Sequence, residues 1–164
     1  MPFDAFLKID GVDGESSDSK HKGEIEVLSY SWGVSQAITG TASSTGTFSG
    51  QRADLTALSV VKQLDKASPK LAQGCASGEH YKSAVLTLCR AGGDKQPYMK
   101  YKLSDVLVES LRTGGASQGE GGVPSEELGL RYGKIELEYT VVGNDGKAAG
   151  NTSGGWDLKE NKKV

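Results

Sequence analysis

The sequence predicts a mainly β fold in which bent antiparallel sheets close into a β-barrel, flanked by one short α-helix at about residues 68–78. Twenty-three glycines against four prolines indicate many turns rather than a helical bundle. Apolar and polar residues alternate in most segments, which is the pattern of half-buried strands. The alternation also changes parity inside several strands, as β-bulges in a strongly bent sheet would require. At 164 residues, we expect a single domain spanning residues 1–164.

The helix is the best-marked element of the chain. Ser68 can act as its N-cap, Pro69 suits the first helical position, and Gly78 suits the left-handed residue that ends a helix. Small apolar side chains recur at a spacing of four and form one stripe: Leu71, Ala72, Cys75 and Ala76. The polar side consists of Lys70, Gln73 and Ser77. So short a helix is marginal alone, and we expect its stripe to cover the sheet.

Alternation places strands along the rest of the chain. An opening strand covers 3–9, and a longer one begins at Ile25 and changes parity between Val27 and Leu28. Further strands are predicted around 58–64, 84–89, 98–111, 128–132 and 135–141, with a parity reset at Gly133 and a bend after Leu103. Residues 144–155 are interpreted as a loop, followed by a closing strand at Trp156 to Leu158.

One predicted strand face carries only small uncharged residues: Ser29, Ser31, Gly33 and Ser35. Short neutral side chains suit the smooth wall of a cavity, because they neither bind tightly nor block passage. The same face could equally be an ordinary solvated strand surface. Both readings stay open at the level of residue pattern.

An extended segment at about 37–55 is rich in Gly, Ser and Thr and carries isolated apolar residues such as Ile38 and Phe48. Such a segment can be a disordered solvent loop, or an arm that becomes ordered by packing on a neighbouring copy. It is long for a plain hairpin loop, which favours the arm as a surface for self-association.

No catalytic, cofactor or metal site is predicted. Cys75 and His80 are close in sequence but lie on different sides of the helix end, and we expect Cys75 to be packed in the apolar stripe. His21 lies in a polar loop with too few ligands for a metal, so simple solvation is expected. Glu136 and Glu138 resemble a solvated outer face. The glycine-rich stretches lack the Lys-Ser/Thr of a phosphate loop.

Charge and composition restrict the partners and the compartment. A formal net charge of −2 gives no general attraction to nucleic acid or anionic membranes. The N-terminus lacks the basic-then-apolar order of a secretory signal, and no apolar run approaches membrane length. Two cysteines outside any C-x-x-C pair fit a reduced compartment. We therefore expect synthesis in the cytoplasm, with no direct membrane insertion.

Four segments of the chain resemble the hemolysin-coregulated protein (Hcp) family, the tube subunit of the bacterial type VI secretion system. They are Phe6 to Ile9 followed by Gly14 to Ser16; Ile25 to Gln36; Asp65 to Leu71 continuing through Cys75 to Tyr81; and Gly155 to Leu158. The tracts through Trp32-Gly33 and through the strand and helix are the specific ones. The resemblance covers nearly the whole chain in order.

The resemblance implies a structural subunit without catalytic residues or a cofactor. Six copies would form a ring with a wide channel, and rings would stack into a tube that a contractile sheath propels behind a spike protein into a target cell. Small secreted effectors would be held in the channel, lined by the small-residue face. Export would occur through the machine, without a signal peptide, to the medium or the target cell. The alternative is a free ring that carries effectors as a chaperone and builds no tube.

The same resemblance gives candidate contacts between subunits. On the extended segment they are Thr39, Thr41, Phe48 and Arg52, and on the helix they are Lys70, Gln73 and Ser77. The region after Gln36 departs from the denser glycine run with a histidine that the family pattern leads one to expect. The segment is nevertheless expected to reach a neighbouring subunit.

Overall fold

The computed structural model describes residues 2–39, 49–119 and 122–164. Within them the chain forms eleven strands and one helix: β1 Phe3–Ile9, β2 Ile25–Val27, β3 Ser29–Ser31, β4 Val34–Thr39, β5 Ser49–Leu55, β6 Leu58–Gln63, α1 Ser68–Ser77, β7 His80–Arg90, β8 Pro97–Gly114, β9 Ser125–Val142, β10 Ala148–Asp157 and β11 Lys162–Lys163. The prediction of a mainly β fold with one helix is confirmed.

All strand pairs are antiparallel, and most strands join one sheet in the order β11-β10-β9-β8-β7-β1-β2. The long strand β9 pairs along one edge first with β6, through residues 125–130, and then with β10, through residues 134–142. β3 pairs with the outer edge of β6. The described pairings do not close into a barrel, so barrel closure stays a prediction.

The predicted parity changes correspond to real breaks in strand pairing. At Leu28 the chain passes from pairing with β1 to pairing with β6, and the Leu28 side chain is exposed rather than part of the apolar face. Asp105 adopts φ 52° at the bend in β8. Opposite this bend, Gly133 separates the buried Tyr132 from the buried Ile135. Each break lets a strand keep its apolar residues inward while the sheet turns.

The helix begins at Ser68 and ends at Gly78, which has φ 67° and caps it in the left-handed conformation as predicted. The prediction of Ser68 as N-cap is wrong. Ala67 occupies that position without a side-chain cap, because the Ser68 hydroxyl is used inside the protein. The apolar stripe is also narrower than predicted: Leu71 is buried and Cys75 half-buried, whereas the two alanines of the stripe are exposed.

The loop predicted for residues 144–155 is partly wrong, since β10 begins at Ala148. Its residues pair with β9 from Val142 to Lys134, with a register shift next to Ala148. Small residues such as those of β10 carry no alternation of apolar side chains, so only the pairing edge offered by β9 makes this segment a strand.

The core lies between the inner faces of the sheet and beneath the helix. Its members are buried apolar residues from nearly every element. Leu7, Leu58, Leu71, Leu86 and Leu130 are all fully inaccessible to solvent. Burial of a side chain of this kind contributes roughly 1.5–3 kcal/mol relative to exposure. The core therefore fixes the positions of the β3 strand face and of the helix, which are described below.

β4 and β5 form a separate two-stranded sheet outside this body. We call residues 34–55, which comprise β4, β5 and the residues between them, the arm. The two ends of the predicted extended segment at 37–55 thus pair with each other as antiparallel strands, with Val34 opposite Leu55 and Ile38 opposite Gly50. Residues 40–48 lie outside the described part of the chain.

Candidate functional site

The two serines of β3 lie on an exposed face of the body. Ser29 is opposite Val61 and Ser31 is opposite Ser59, while Tyr30 between them points toward the core. The other two predicted wall residues lie elsewhere: Gly33 is in the connection that follows β3, and Ser35 is in the arm. The structure therefore brings together two of the four predicted residues and places the other two at the root of the arm.

The row of small residues continues across neighbouring strands, although Ser59 is half-buried and Gly129 is buried. Strand register places Ser59 beside Gly129 of β9, and Gly129 beside Ser110 of β8. A Cβ at Gly129 would lie 2.7 Å from the Ser110 hydroxyl, so the strip is closely packed. We call Ser29, Ser31, Ser59, Ser110 and Gly129 the serine face. The sequence analysis missed the last three because register between distant strands cannot be deduced from alternation alone.

Charged residues flank the serine face in balanced pairs. The Arg131 Nε donates to Glu109 Oε1 at 2.8 Å, and this carboxylate raises the pKa of the Arg131 guanidinium. Arg112 lies directly opposite Glu127 in the pairing of β8 with β9. Opposite charges side by side on strands give little net field. The face therefore presents small neutral groups between compensated charges.

The polar side of the helix is exposed, as predicted for an interface. Lys70, Gln73 and Ser77 all face solvent in the single chain. Lys70 donates from Nζ to the carbonyl oxygen of Gly11 at 3.1 Å, which fixes one of the three in place. Whether these residues contact a neighbouring subunit stays a prediction.

The candidate contact residues on the arm are only partly described. Thr39 lies at the end of β4, and Arg52 is exposed in β5 with Nη2 3.4 Å from the carbonyl oxygen of Leu158. Thr41 and Phe48 lie outside the described residues. Val34 and Ile38 leave large apolar side chains 57% exposed on the arm.

A second exposed apolar region lies where β9 ends. Tyr139 and Val141 are 48% and 46% exposed, although they continue the inward-facing series of β9. With Tyr98 they line part of a cavity of about 660 Å³. Arg90 and Asp94 also line it, so the cavity has a mixed character and carries no recognisable catalytic arrangement.

The expectation that His21 is simply solvated is wrong. Its imidazole stacks on Phe6 with ring centroids 4.4 Å apart, and Nδ1 bonds to the Glu24 carboxylate. Nε2 lies 3.6 Å from Cys89 Sγ. Burial raises the pKa of the Cys89 thiol to about 11, so it is not a thiolate at neutral pH. His21 thus packs the loop of residues 15–24 onto the outer face of β1 and β7.

Cys75 and His80 form no nucleophile pair among the described contacts. The His80 Nδ1 bonds to Asp105 at 2.8 Å, and Asp105 also accepts from Lys159. These two partners hold the pKa of the Asp105 carboxyl below its usual range, with Lys159 the stronger cause. Both cysteines are free, and Cys89 is buried as expected.

A buried ion pair joins β6 to β9 at the base of the helix. Lys62, fully inaccessible, places its Nζ 2.7 Å from Glu126 and 2.9 Å from Asp65. The Ser68 hydroxyl donates to Glu126 at 2.9 Å and accepts from the Asp65 amide at 3.1 Å. This network explains why Ser68 cannot cap the helix. The sequence does contain a sign of this ion pair. Lys62 follows Leu58 and Val60 at a spacing of two, so its side chain lies on the same inward face of β6.

The described residues contain no group of three or more His, Cys, Asp or Glu side chains arranged to hold a metal ion.

Among the described residues, no helix is both long enough and apolar enough to span a membrane.

Comparison with known proteins identifies the family to which this mainly β chain belongs. Residues 6–139 match the model of the family described as type VI secretion system effector, Hcp. The chain belongs to the Hcp family. The resemblance deduced from the four sequence segments is thereby confirmed.

Individual relatives are similar to this chain over nearly its whole length. Protein hcp1 of Pseudomonas aeruginosa is 39% identical over 163 residues, which is 98% of each protein. A solved structure of a type six secretion system protein is similar with TM-score 0.93 and 36% identity, over 99% of this chain and 100% of that one. Hcp1 from Salmonella typhimurium is similar with TM-score 0.82 and 38% identity, over the full length of both chains.

Membership of the Hcp family places the chain in the type VI secretion system as a secreted protein. The family is one of structural and secreted proteins rather than enzymes.

Proposed function

We propose that this chain is a structural subunit of the type VI tube: six copies form a ring, rings stack into the secreted inner tube, and effectors travel in the lumen. The observation that carries the proposal is the arm. It is a separate two-stranded sheet with Val34 and Ile38 exposed, although an isolated hairpin is marginal in water. A surface of this kind is stabilised when a neighbouring copy covers it.

The wider assembly follows from this role. In the proposal the sheet of the body closes into the family's barrel, and the spike protein, the contractile sheath and small effectors are the partners. The chain would be made in the cytoplasm and exported without a signal peptide. Tyr139 and Val141, exposed at the end of β9, are additional apolar surface that favours self-association.

The assembly is tested by native mass. Light scattering at micromolar concentration should give six times the mass of one chain, and negative-stain images should show rings with a central hole. A monomer would contradict the proposal. Rings that never stack, even when engineered cysteines could link their edges, would instead favour the alternative of a free ring that carries effectors.

Within the ring, we propose that the serine face lines the channel. Small neutral groups between compensated charges make a surface along which a folded cargo can slide and dissociate. In the same proposal, the polar side of the helix and the arm face neighbouring subunits, because both are exposed in the single chain and the arm carries the exposed apolar side chains of Val34 and Ile38.

Ser31→Gln tests the serine face directly. The longer amide should obstruct the wall and reduce effector retention, measured by co-purification of an effector with the ring, while native mass stays unchanged. Ser153→Gln is the matched control, since Ser153 is an exposed strand serine on β10. Loss of the ring in Ser31→Gln alone would place Ser31 at a subunit interface instead.

A further inference from the structure

The arm leaves the body at Gly33 and returns at Thr56, and these two roots are fastened together. The Thr56 amide donates to the Gly33 carbonyl oxygen at 3.0 Å. The Thr56 hydroxyl accepts from the Gly33 amide at 3.0 Å and donates to the Gly33 carbonyl oxygen at 3.2 Å. The two roots of the arm therefore move as one unit.

A single hydroxyl ties this unit to β9. The buried Tyr132 Oη accepts from Trp32 Nε1 at 2.6 Å and donates to the Thr56 carbonyl oxygen at 2.7 Å. Trp32 precedes the first root and Thr56 forms the second, so the hydroxyl bridges both. Burial raises the pKa of Tyr132, which keeps this group a neutral donor at ordinary pH.

Arg131 supports the same root from the opposite face of the strand. Its Nη1 donates to the Leu55 carbonyl oxygen at 3.0 Å, while Glu109 holds the guanidinium through Nε at 2.8 Å. Consecutive residues of a strand point to opposite faces. Arg131 and Tyr132 therefore hold the carbonyl groups of Leu55 and Thr56, two consecutive residues, from the two sides of β9.

We propose that Tyr132 and Arg131 form a clamp that fixes the direction of the arm, and that association of the arm with a neighbouring copy of the chain depends on this fixed direction. The inference rests on the proposed function, in which the arm contacts a neighbouring copy. A hairpin held in its binding direction loses less conformational freedom on association than one that swings about its root. Tyr132 and Arg131 are thus positioning residues that act through the arm.

The first test replaces Tyr132 by Phe, which removes only the hydroxyl. Tyr101→Phe is the matched control, because Tyr101 is equally buried and its hydroxyl lies 3.4 Å from that of Tyr30, while the Tyr101 ring that packs 6.0 Å from the Trp32 ring is retained. Nitroxide labels at Gln51→Cys and Glu127→Cys report the distance from arm to body. The background carries Cys75→Ser, whereas the buried Cys89 thiol needs no replacement. Labelled chains are diluted with unlabelled ones.

Tyr132→Phe should give a broader distribution of label distances than the parent and Tyr101→Phe. Its rings should dissociate on dilution at about tenfold higher protein concentration, as measured by light scattering, because a factor of this size corresponds to roughly one neutral hydrogen bond. If Tyr132→Phe proves unstable, Arg131→Lys removes the second contact from the exposed side, and a broader distribution is expected there too.

A distance distribution and a ring dissociation on dilution in Tyr132→Phe equal to those of Tyr101→Phe would overturn the clamp. Broad distances with undiminished ring association would overturn the second half of the proposal, the dependence of association on the direction of the arm. A monomeric parent would contradict the proposed function instead, and the label distances would still decide whether Tyr132 fixes the arm.

Discussion

The two halves of β9 follow the same alternation of apolar and polar residues and yet have different surroundings. In the first half, Glu126, Leu128 and Leu130 point inward and are at most 2% exposed. In the second half, the inward-facing side chains become more exposed toward the end of the strand, where Val141 is 46% exposed. The first half lies between β6 and β8, whereas the second extends beyond the core. Alternation thus identifies the apolar face of a strand but does not show what covers it.

The largest expected difference between the halves comes from their ion pairs. Glu126→Ala would leave Lys62 buried with a single carboxylate partner, and breaking a buried pair in this way costs about 3–5 kcal/mol of unfolding free energy. Glu138→Ala, in the second half, removes a half-exposed partner of Lys102 and should cost at most about 1 kcal/mol. Denaturant unfolding at one fixed protein concentration measures both.

Replacing both partners, as in Lys62→Met with Glu126→Leu, should recover part of the loss, because no charge is left between β6 and β9. The recovery is incomplete because Asp65 loses its Lys62 partner and keeps the hydrogen bond from the Ala67 amide. Equal costs for Glu126→Ala and Glu138→Ala would show that the two halves do not differ in the way their burial indicates.

Apolar truncation gives the next largest contrast. Leu130→Ala removes a fully buried side chain between Leu58 and Val108 and should cost about 2–5 kcal/mol. Val141→Ala shortens an inward residue that is already 46% exposed, and should change the free energy by less than about 0.5 kcal/mol. Thermal and denaturant unfolding of the two variants provide the comparison. A large cost for Val141→Ala in assembled rings alone would identify a covering neighbour.

Sequence reasoning was successful where the signal is local. The left-handed Gly78, the parity change at Leu28 and the reset at Gly133 were all predicted, because each depends on a few adjacent residues. The predicted closing strand included Trp156 at the end of β10, but the part of β10 from Ala148 to Gly155 was missed because its small residues carry no pattern of their own. The strand exists through its pairing with β9, a contact between segments that alternation cannot connect.

The site was harder to predict than the fold, since its key contacts join residues that are distant in sequence. The His21 contact with Cys89 spans 68 residues, and the Trp32 contact with Tyr132 spans 100. No spacing rule relates such positions. Lys62 is different, because its inward parity was visible in the sequence. A charged residue in that position could have been recognised as one that requires a buried partner.

The smallest expected effect is the pH dependence of the exposed pair in the second half of β9. The hydrogen bond from Lys102 holds the pKa of the Glu138 carboxyl below the ordinary value of 4.5. In the unfolded chain the carboxyl protonates first as pH falls, so the pair stabilises the fold above that value and loses its contribution as pH falls through the folded pKa. Because the Glu138 side chain is 27% exposed, solvent screening limits this contribution to below about 1 kcal/mol. The difference in unfolding free energy between the parent and Glu138→Gln should therefore be small at neutral pH and vanish in acid. A difference that persists in acid would show that Glu138 stabilises the strand through packing rather than charge.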